Sequence, residues 1–132
     1  MKKLRGLILM LSISLSLFGL SACHNDNGSA TYEQITASTA KMIMETEQNY
    51  IIIDARTKEE FAEGHIKDAI LIPEYEITRR AEKELPNKEA LILVYCRSGR
   101  RSKIASEELV KLGYTNVKEF GGIIDWPYEV VK

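Results

Sequence analysis

The chain has 132 residues, 45% hydrophobic and 28% charged, with a formal charge of −1. That length holds one domain of ordinary size rather than two, and the composition excludes a disordered chain. It also lacks the basic surplus that a nucleic-acid-binding face requires, so no nucleic-acid partner is expected.

The chain opens with Lys2, Lys3 and Arg5, followed by an apolar run of 14 residues from Leu7 to Leu20. A membrane-spanning helix needs about 20 apolar residues, so this run is short for one. A basic start, a short apolar stretch and small residues at its end form the pattern of a secretory signal. A buried N-terminal helix is the competing reading, but the run has no amphipathic face. It closes on Leu20-Ser21-Ala22-Cys23, which resembles the lipobox of bacterial lipoproteins. The resemblance implies that residues 1–22 are a signal peptide and that Cys23 is lipidated and becomes the new N-terminus. The protein is then expected to be exported and anchored by lipid to the bacterial cell membrane, outside the cytoplasm. Such a lipid tethers a domain without spanning the bilayer. Loss of the leader takes the basic count from 18 to 15 against 19 acidic residues, a charge of −4.

From Cys23 to residue 31 the sequence is polar and reads as a flexible tether, leaving residues 32–132 as the domain. Tyr32 to Ile35 is a short strand. Ser38 is expected to cap a helix running to about Glu47. Tyr50-Ile51-Ile52-Ile53 is a continuous β-branched run, the pattern of a strand buried on both faces, and Asp54 stops it. Thr57 starts a short helix with Glu60 completing a capping box, and Gly64 closes it. Ala69 to Ile72 is a second buried strand, ended by Pro73. Glu74 to Glu84 is a charged surface helix. Ala90 to Tyr95 is the most apolar strand, and Arg100 to Leu112 is a helix with Ile104, Ala105, Leu109 and Leu112 on one face. Asn116 to Phe120 is the last strand, and Gly121-Gly122 turns into a final segment containing Trp126. Strands alternating with helices give an α/β fold, with a central parallel sheet of about five strands flanked by helices on both faces. In such sheets the site lies beyond the carboxyl ends of the strands, where Asp54, Pro73 and Cys96 fall.

With Cys23 committed to lipid, Cys96 is the domain's only thiol. An unpaired cysteine in an exported protein is a reactive thiol, pairs between molecules or is an inert small hydrophobe, and its surroundings must decide. Four cations, Arg97, Arg100, Arg101 and Lys103, follow it within seven residues. A solvated basic helix start would explain the cations. It would not explain a thiol, a glycine and a strand-to-helix turn occurring together. Amides of a loop that opens a helix form an anion cradle, and the same field favours a thiolate. Arg97, Arg100 and Arg101 add guanidinium groups suited to oxyanions, and Gly99 permits close approach or a positive φ. Cys96 is then a nucleophile facing an anion held by Arg97, Ser98, Gly99, Arg100 and Arg101.

Three blocks are similar to the rhodanese family, from about residue 32 to 127. "IIIDARTKEEFAEGHIKDAILIP" resembles its first block, "VYCRSGRRS" its active loop, and "LGYTNVKEFGGIIDW" its last block. The resemblance implies a rhodanese-like sheet and a sulfurtransferase working through a Cys96 persulfide. Thiosulfate would be a donor, and cyanide, a thiol or a protein an acceptor. Loop amides with Arg97 or Arg101 would hold the donor. No cofactor or metal is implied, and a monomer is expected. Asp54 and Arg56 would support the site or form a structural ion pair at the loop ends; His65 is expected to pack without chemistry. The step from Cys96 to Arg101 is Cys-x4-Arg, one residue shorter than the loop of related phosphatases, which leaves a cysteine phosphatase as a remote alternative. A non-turnover persulfide or redox module delivering sulfur to a partner protein is the nearer one. Two departures bear on the pocket rim: Asp68-Ala69 where the family often has Gly-Ala, and a short tail after Trp126.

Overall fold

The computed structural model describes residues 31–132. The expected signal peptide, Cys23 and nearly all of the expected tether lie outside the described residues. The elements in order are β1 (Glu33–Gln34), α1 (Ala37–Thr46), β2 (Ile51–Asp54), α2 (Lys58–Glu63), β3 (Ile70–Leu71), a 3-10 turn (Glu74–Glu76), α3 (Ile77–Glu84), β4 (Ile92–Cys96), α4 (Arg100–Lys111), β5 (Val117–Gly122) and a second 3-10 turn (Ile123–Asp125).

The five strands form one sheet in the order β1-β5-β4-β2-β3, and every pairing is parallel. β4 lies at its centre and is buried along its whole length. That explains why its sequence is continuously apolar rather than alternating. Period-two alternation then splits the core between the two faces. Ile53, Val94, Cys96 and Val117 pack with Ile77 and Ala81 of α3 and Ala105 and Leu109 of α4. Ile52, Leu93, Tyr95 and Phe120 pack with Ala40 of α1, Ile66 and Trp126. The expected helices on both faces are present.

Local chemistry sets the boundaries. Thr36, not Ser38, caps α1: its hydroxyl accepts from the Thr39 amide at 3.1 Å. β1 fixes that start, because the Ile35 amide still bonds Glu119 of β5 and the helix begins only after it. At α2 the Thr57–Glu60 capping box is complete. Glu74 to Glu84 is not one helix but a 3-10 turn leading into α3, whose Ile77 and Ala81 are buried. Gly121-Gly122 does not turn; β5 continues through both. Asp68 is the sole non-glycine with positive φ among the described residues, at 66°. Aspartate tolerates that left-handed conformation better than most residues, which accounts for its standing where a glycine is common. Among the described residues no helix is long and apolar enough to cross a membrane.

Candidate active site

Cys96 is the last residue of β4, directly before the turn into α4. It pairs in register with Gly122 of β5 and is 1% exposed. Gly99 caps α4 with φ 105°, the left-handed conformation foreseen for it. That conformation aims the Gly99 amide at the sulfur, donating to Cys96 Sγ at 3.0 Å. The next amides open α4 and have no acceptor within the helix, so they are donors available to an anion. Cys96 Sγ also lies 3.4 Å from Ser102 Oγ.

The three arginines are not equivalent. Arg101 is locked into Glu60 of α2, with Nη1 and Nη2 donating to its two carboxylate oxygens at 2.6 and 2.8 Å. Arg101 holds the Glu60 carboxyl down at about 2, and Glu60 in turn raises Arg101. Glu60 is the capping-box residue of α2, since one of its oxygens also accepts the Thr57 amide at 3.0 Å. One carboxylate thus ties the start of α2 to the start of α4. Arg97 and Arg100 are exposed, and among the described residues neither has an acidic partner. Ser98 is exposed beside Arg97. Arg97 lines a cleft of about 380 Å³ with Arg56, Glu60, Glu63, Ile123 and Ile124.

Asp54 and Arg56 close the end of β2. Arg56 Nη2 donates to Asp54 Oδ2 at 2.7 Å and to the Gly64 carbonyl at 2.6 Å. Burial works against the Arg56 cation, but the Asp54 carboxylate outweighs it and its proton is held more tightly than usual. Tyr95 Oη donates to Asp54 Oδ2 at 2.6 Å and accepts from the Ile66 amide at 3.0 Å. Burial first, and then the Asp54 charge, push the Tyr95 phenol well above its usual range. Tyr95 belongs to the α1 side of the sheet and Cys96 to the α4 side. The ion pair therefore braces the strand end from behind the sulfur. His65 stacks on Phe61 with ring centroids 3.7 Å apart, and its Nδ1 sits 3.0 Å from the Phe61 carbonyl. Trp126 packs on Phe120 at 5.5 Å.

Three contributors were not singled out from the sequence. Gly122 lies against the loop: a Cβ there would stand 2.0 Å from the Arg97 carbonyl oxygen and 2.6 Å from Ser98 Cα. Ser102 is fully buried behind the sulfur, and Glu119, 2% exposed, accepts its hydroxyl at 2.6 Å. The one legible signal was a glutamate at an inward position of a strand, two residues after the buried Val117.

A buried sulfur at a strand end, under a helix-opening amide and beside free arginines, is suited to nucleophilic attack on an anion. The family model for the Rhodanese-like domain matches residues 36–127. The chain belongs to the rhodanese-like family. Within it, the chain is 39% identical over 80 residues to the thiosulfate sulfurtransferase PspE of Escherichia coli (strain K12), covering 61% of this chain and 77% of that one. It is also 39% identical over 90 residues to a sulfurtransferase of Allochromatium vinosum, covering 67% of this chain and 81% of that one. Among solved structures, a rhodanese with anions from E. coli superposes with a TM-score of 0.59 at 37% identity, covering 63% of this chain and 98% of that one. Rhodanese-like architecture, read from the three sequence blocks, is thereby established.

Proposed function

We propose that this rhodanese-like protein is a sulfurtransferase that carries sulfane sulfur on Cys96. The observation that carries the reading is the Gly99 amide donating to Cys96 Sγ at 3.0 Å within a Cys-x4-Arg loop. Its kinship to chains named as sulfurtransferases, at 39% identity, supports the same chemistry. The Cys96 thiolate attacks the outer sulfur of a donor such as thiosulfate. A new S–S bond forms on Cys96, the old one breaks, and sulfite leaves with the electron pair. Cyanide or a thiolate then attacks the terminal sulfur, and Cys96 departs as thiolate. Charge is conserved in both steps, and one negative charge stays on the site throughout. Amides at the start of α4 hold that charge at little reorganisation cost. Arg97 and Arg100 meet the incoming dianion, while Arg101 with Glu60 fixes the loop they stand on.

The finer parts of the reading are proposals as well. Cys23 carries the lipid, and the domain works outside the cytoplasm, tethered to the membrane. Ser98 and Gly99 line the donor subsite through their backbone, and Asp54 with Arg56 supports it from behind. Steady-state assay with thiosulfate and cyanide tests the function. Thiocyanate should form at a rate that Cys96→Ser abolishes and Arg97→Ala lowers by roughly tenfold or more, the loss of one charge-assisted contact. A Cys96→Ser protein that turns over at the parent rate would remove the reading.

A further inference from the structure

The mechanism above leaves one buried acid unused. Glu119 stands on β5 facing α4, is 2% exposed, and among the described residues pairs with no lysine or arginine. A carboxylate withdrawn from water with no cation depends on the hydrogen bonds it accepts. Two reach Glu119 Oε1: the Ser102 hydroxyl at 2.6 Å and the Gly121 amide at 2.8 Å. Ser102 in turn touches Cys96 Sγ at 3.4 Å. We propose that Glu119 takes up the Cys96 proton through the Ser102 hydroxyl as the sulfur becomes thiolate or persulfide. The proposal rests on the sulfurtransferase reading for the identity of the loaded state.

The geometry defines the direction of each hydrogen bond. A serine hydroxyl has one proton and two lone pairs. Ser102 has three acceptors in reach, Glu119 at 2.6 Å, the Gly99 carbonyl at 3.0 Å and the Gly121 carbonyl at 3.4 Å. The shortest contact, and the one with a charge behind it, takes the proton. A lone pair of Ser102 is then left toward Cys96, so the resting thiol donates S–H to Ser102. When the thiol loses its proton, that lone pair would face a negative sulfur. Transfer along the chain removes the conflict. The S–H bond breaks as a new O–H bond forms on Ser102, and the original Ser102 proton passes to Glu119 Oε1. The hydroxyl now points at the sulfur, Glu119 is neutral, and one negative charge has moved from carboxylate to sulfur. No proton enters or leaves the site, and no other reactant is needed. Without the transfer, two negative charges would share one buried pocket.

Other groups around the pair fit this exchange. Arg101 on α4 feels the Cys96 and Asp54 charges but is committed to Glu60. Ahead of β1, Tyr32 is pushed up by burial, then by Glu107 and Glu119, so it stays a neutral phenol. Tyr95 on β4 donates its hydrogen bond to Asp54 on β2, away from the sulfur. Glu119 and Cys96 are left to share one proton as a coupled pair.

The test compares the parent chain with Glu119→Gln and Ser102→Ala, each first checked for an unchanged circular dichroism spectrum. Iodoacetamide alkylation of Cys96 is followed across pH 5 to 9 by intact mass. A proton shared through Ser102 gives the parent a profile that differs in shape from that of either variant. Glu119→Gln restores a lone thiol whose rate rises about tenfold per pH unit on its acid limb. Ser102→Ala keeps the carboxylate but breaks the path, so its acid limb lies at higher pH than that of Glu119→Gln. Superimposable profiles for all three would overturn the proposal. In a second arm, loading with thiosulfate should add a protonated-carboxyl stretch to the infrared difference spectrum that Glu119→Gln lacks. A loaded parent chain without that band also overturns the proposal. A chain that takes no sulfur at all instead refutes the sulfurtransferase reading, and the alkylation profiles still decide the proton path.

Discussion

Cys96 owes its position to a residue that makes no contact through its side chain. Gly99 at φ 105° points its amide at the sulfur, a conformation that costs an L-residue about 1–2 kcal/mol and glycine little. One buried side chain earns nothing in return: Ser106 Oγ, inside α4, is the one buried side-chain N or O atom without a hydrogen-bond partner among the described residues. An orphaned hydroxyl costs about 1 kcal/mol or more, and alanine is the better helix former. Ser106→Ala should therefore raise stability by about 1 kcal/mol and leave thiocyanate formation unchanged. Urea titration checks this, and a destabilised variant would mean that the hydroxyl has a partner in solution.

Between elements, the site is a junction of three around Cys96 of β4. β5 supplies Gly122 and Glu119, α2 supplies Glu60, and α4 supplies Ser102 and Arg101. Gly122→Ala should push the Arg97–Ser98 backbone outward, because the new methyl would stand 2.0 Å from the Arg97 carbonyl oxygen. Overpacking of that kind costs about 1–3 kcal/mol. Lost stability in a melt should be accompanied by a larger proportional loss of sulfur loading than any remote variant of equal stability shows. The Glu60–Arg101 bridge makes a prediction in pH. Folding lowers Glu60 from an ordinary value near 4.5 to about 2, chiefly through its Arg101 hydrogen bonds. A depressed carboxylate stabilises the fold fully above its unfolded value and loses that contribution as pH falls toward its folded one. Glu60→Gln should thus destabilise by about 1 kcal/mol at pH 6 and progressively less between pH 4.5 and about 2. A difference independent of pH across that window would show that the bridge does not act electrostatically.

Over the whole molecule, the sheet was legible and the cross-links were not. β2 and β4 announce themselves because a central parallel strand is covered on both faces and can be apolar at every position. The α2 capping box is legible because its two partners are three residues apart. Long-range pairings leave no such local mark. Glu60 meets Arg101 across 41 positions and Ser102 meets Glu119 across 17, distances set only by how α2 and β5 pack on α4. Gly121-Gly122 read as a turn because glycine pairs usually are one; only the Cys96–Gly122 register shows that bare backbone was needed beside the loop. Among three neighbouring hydroxyl residues, Thr36, Ser38 and Thr39, the expectation fell on Ser38, and Thr36 takes the cap because β1 fixes where the helix begins.

Incubating the purified protein with thiosulfate and weighing it intact, with Cys96→Ser alongside, tests the central claim most directly. The account predicts a gain of one sulfur atom, removed by cyanide and absent from Cys96→Ser. A folded parent chain that gains no sulfur from thiosulfate or any other sulfane donor, or a Cys96→Ser chain that gains as much, would contradict it.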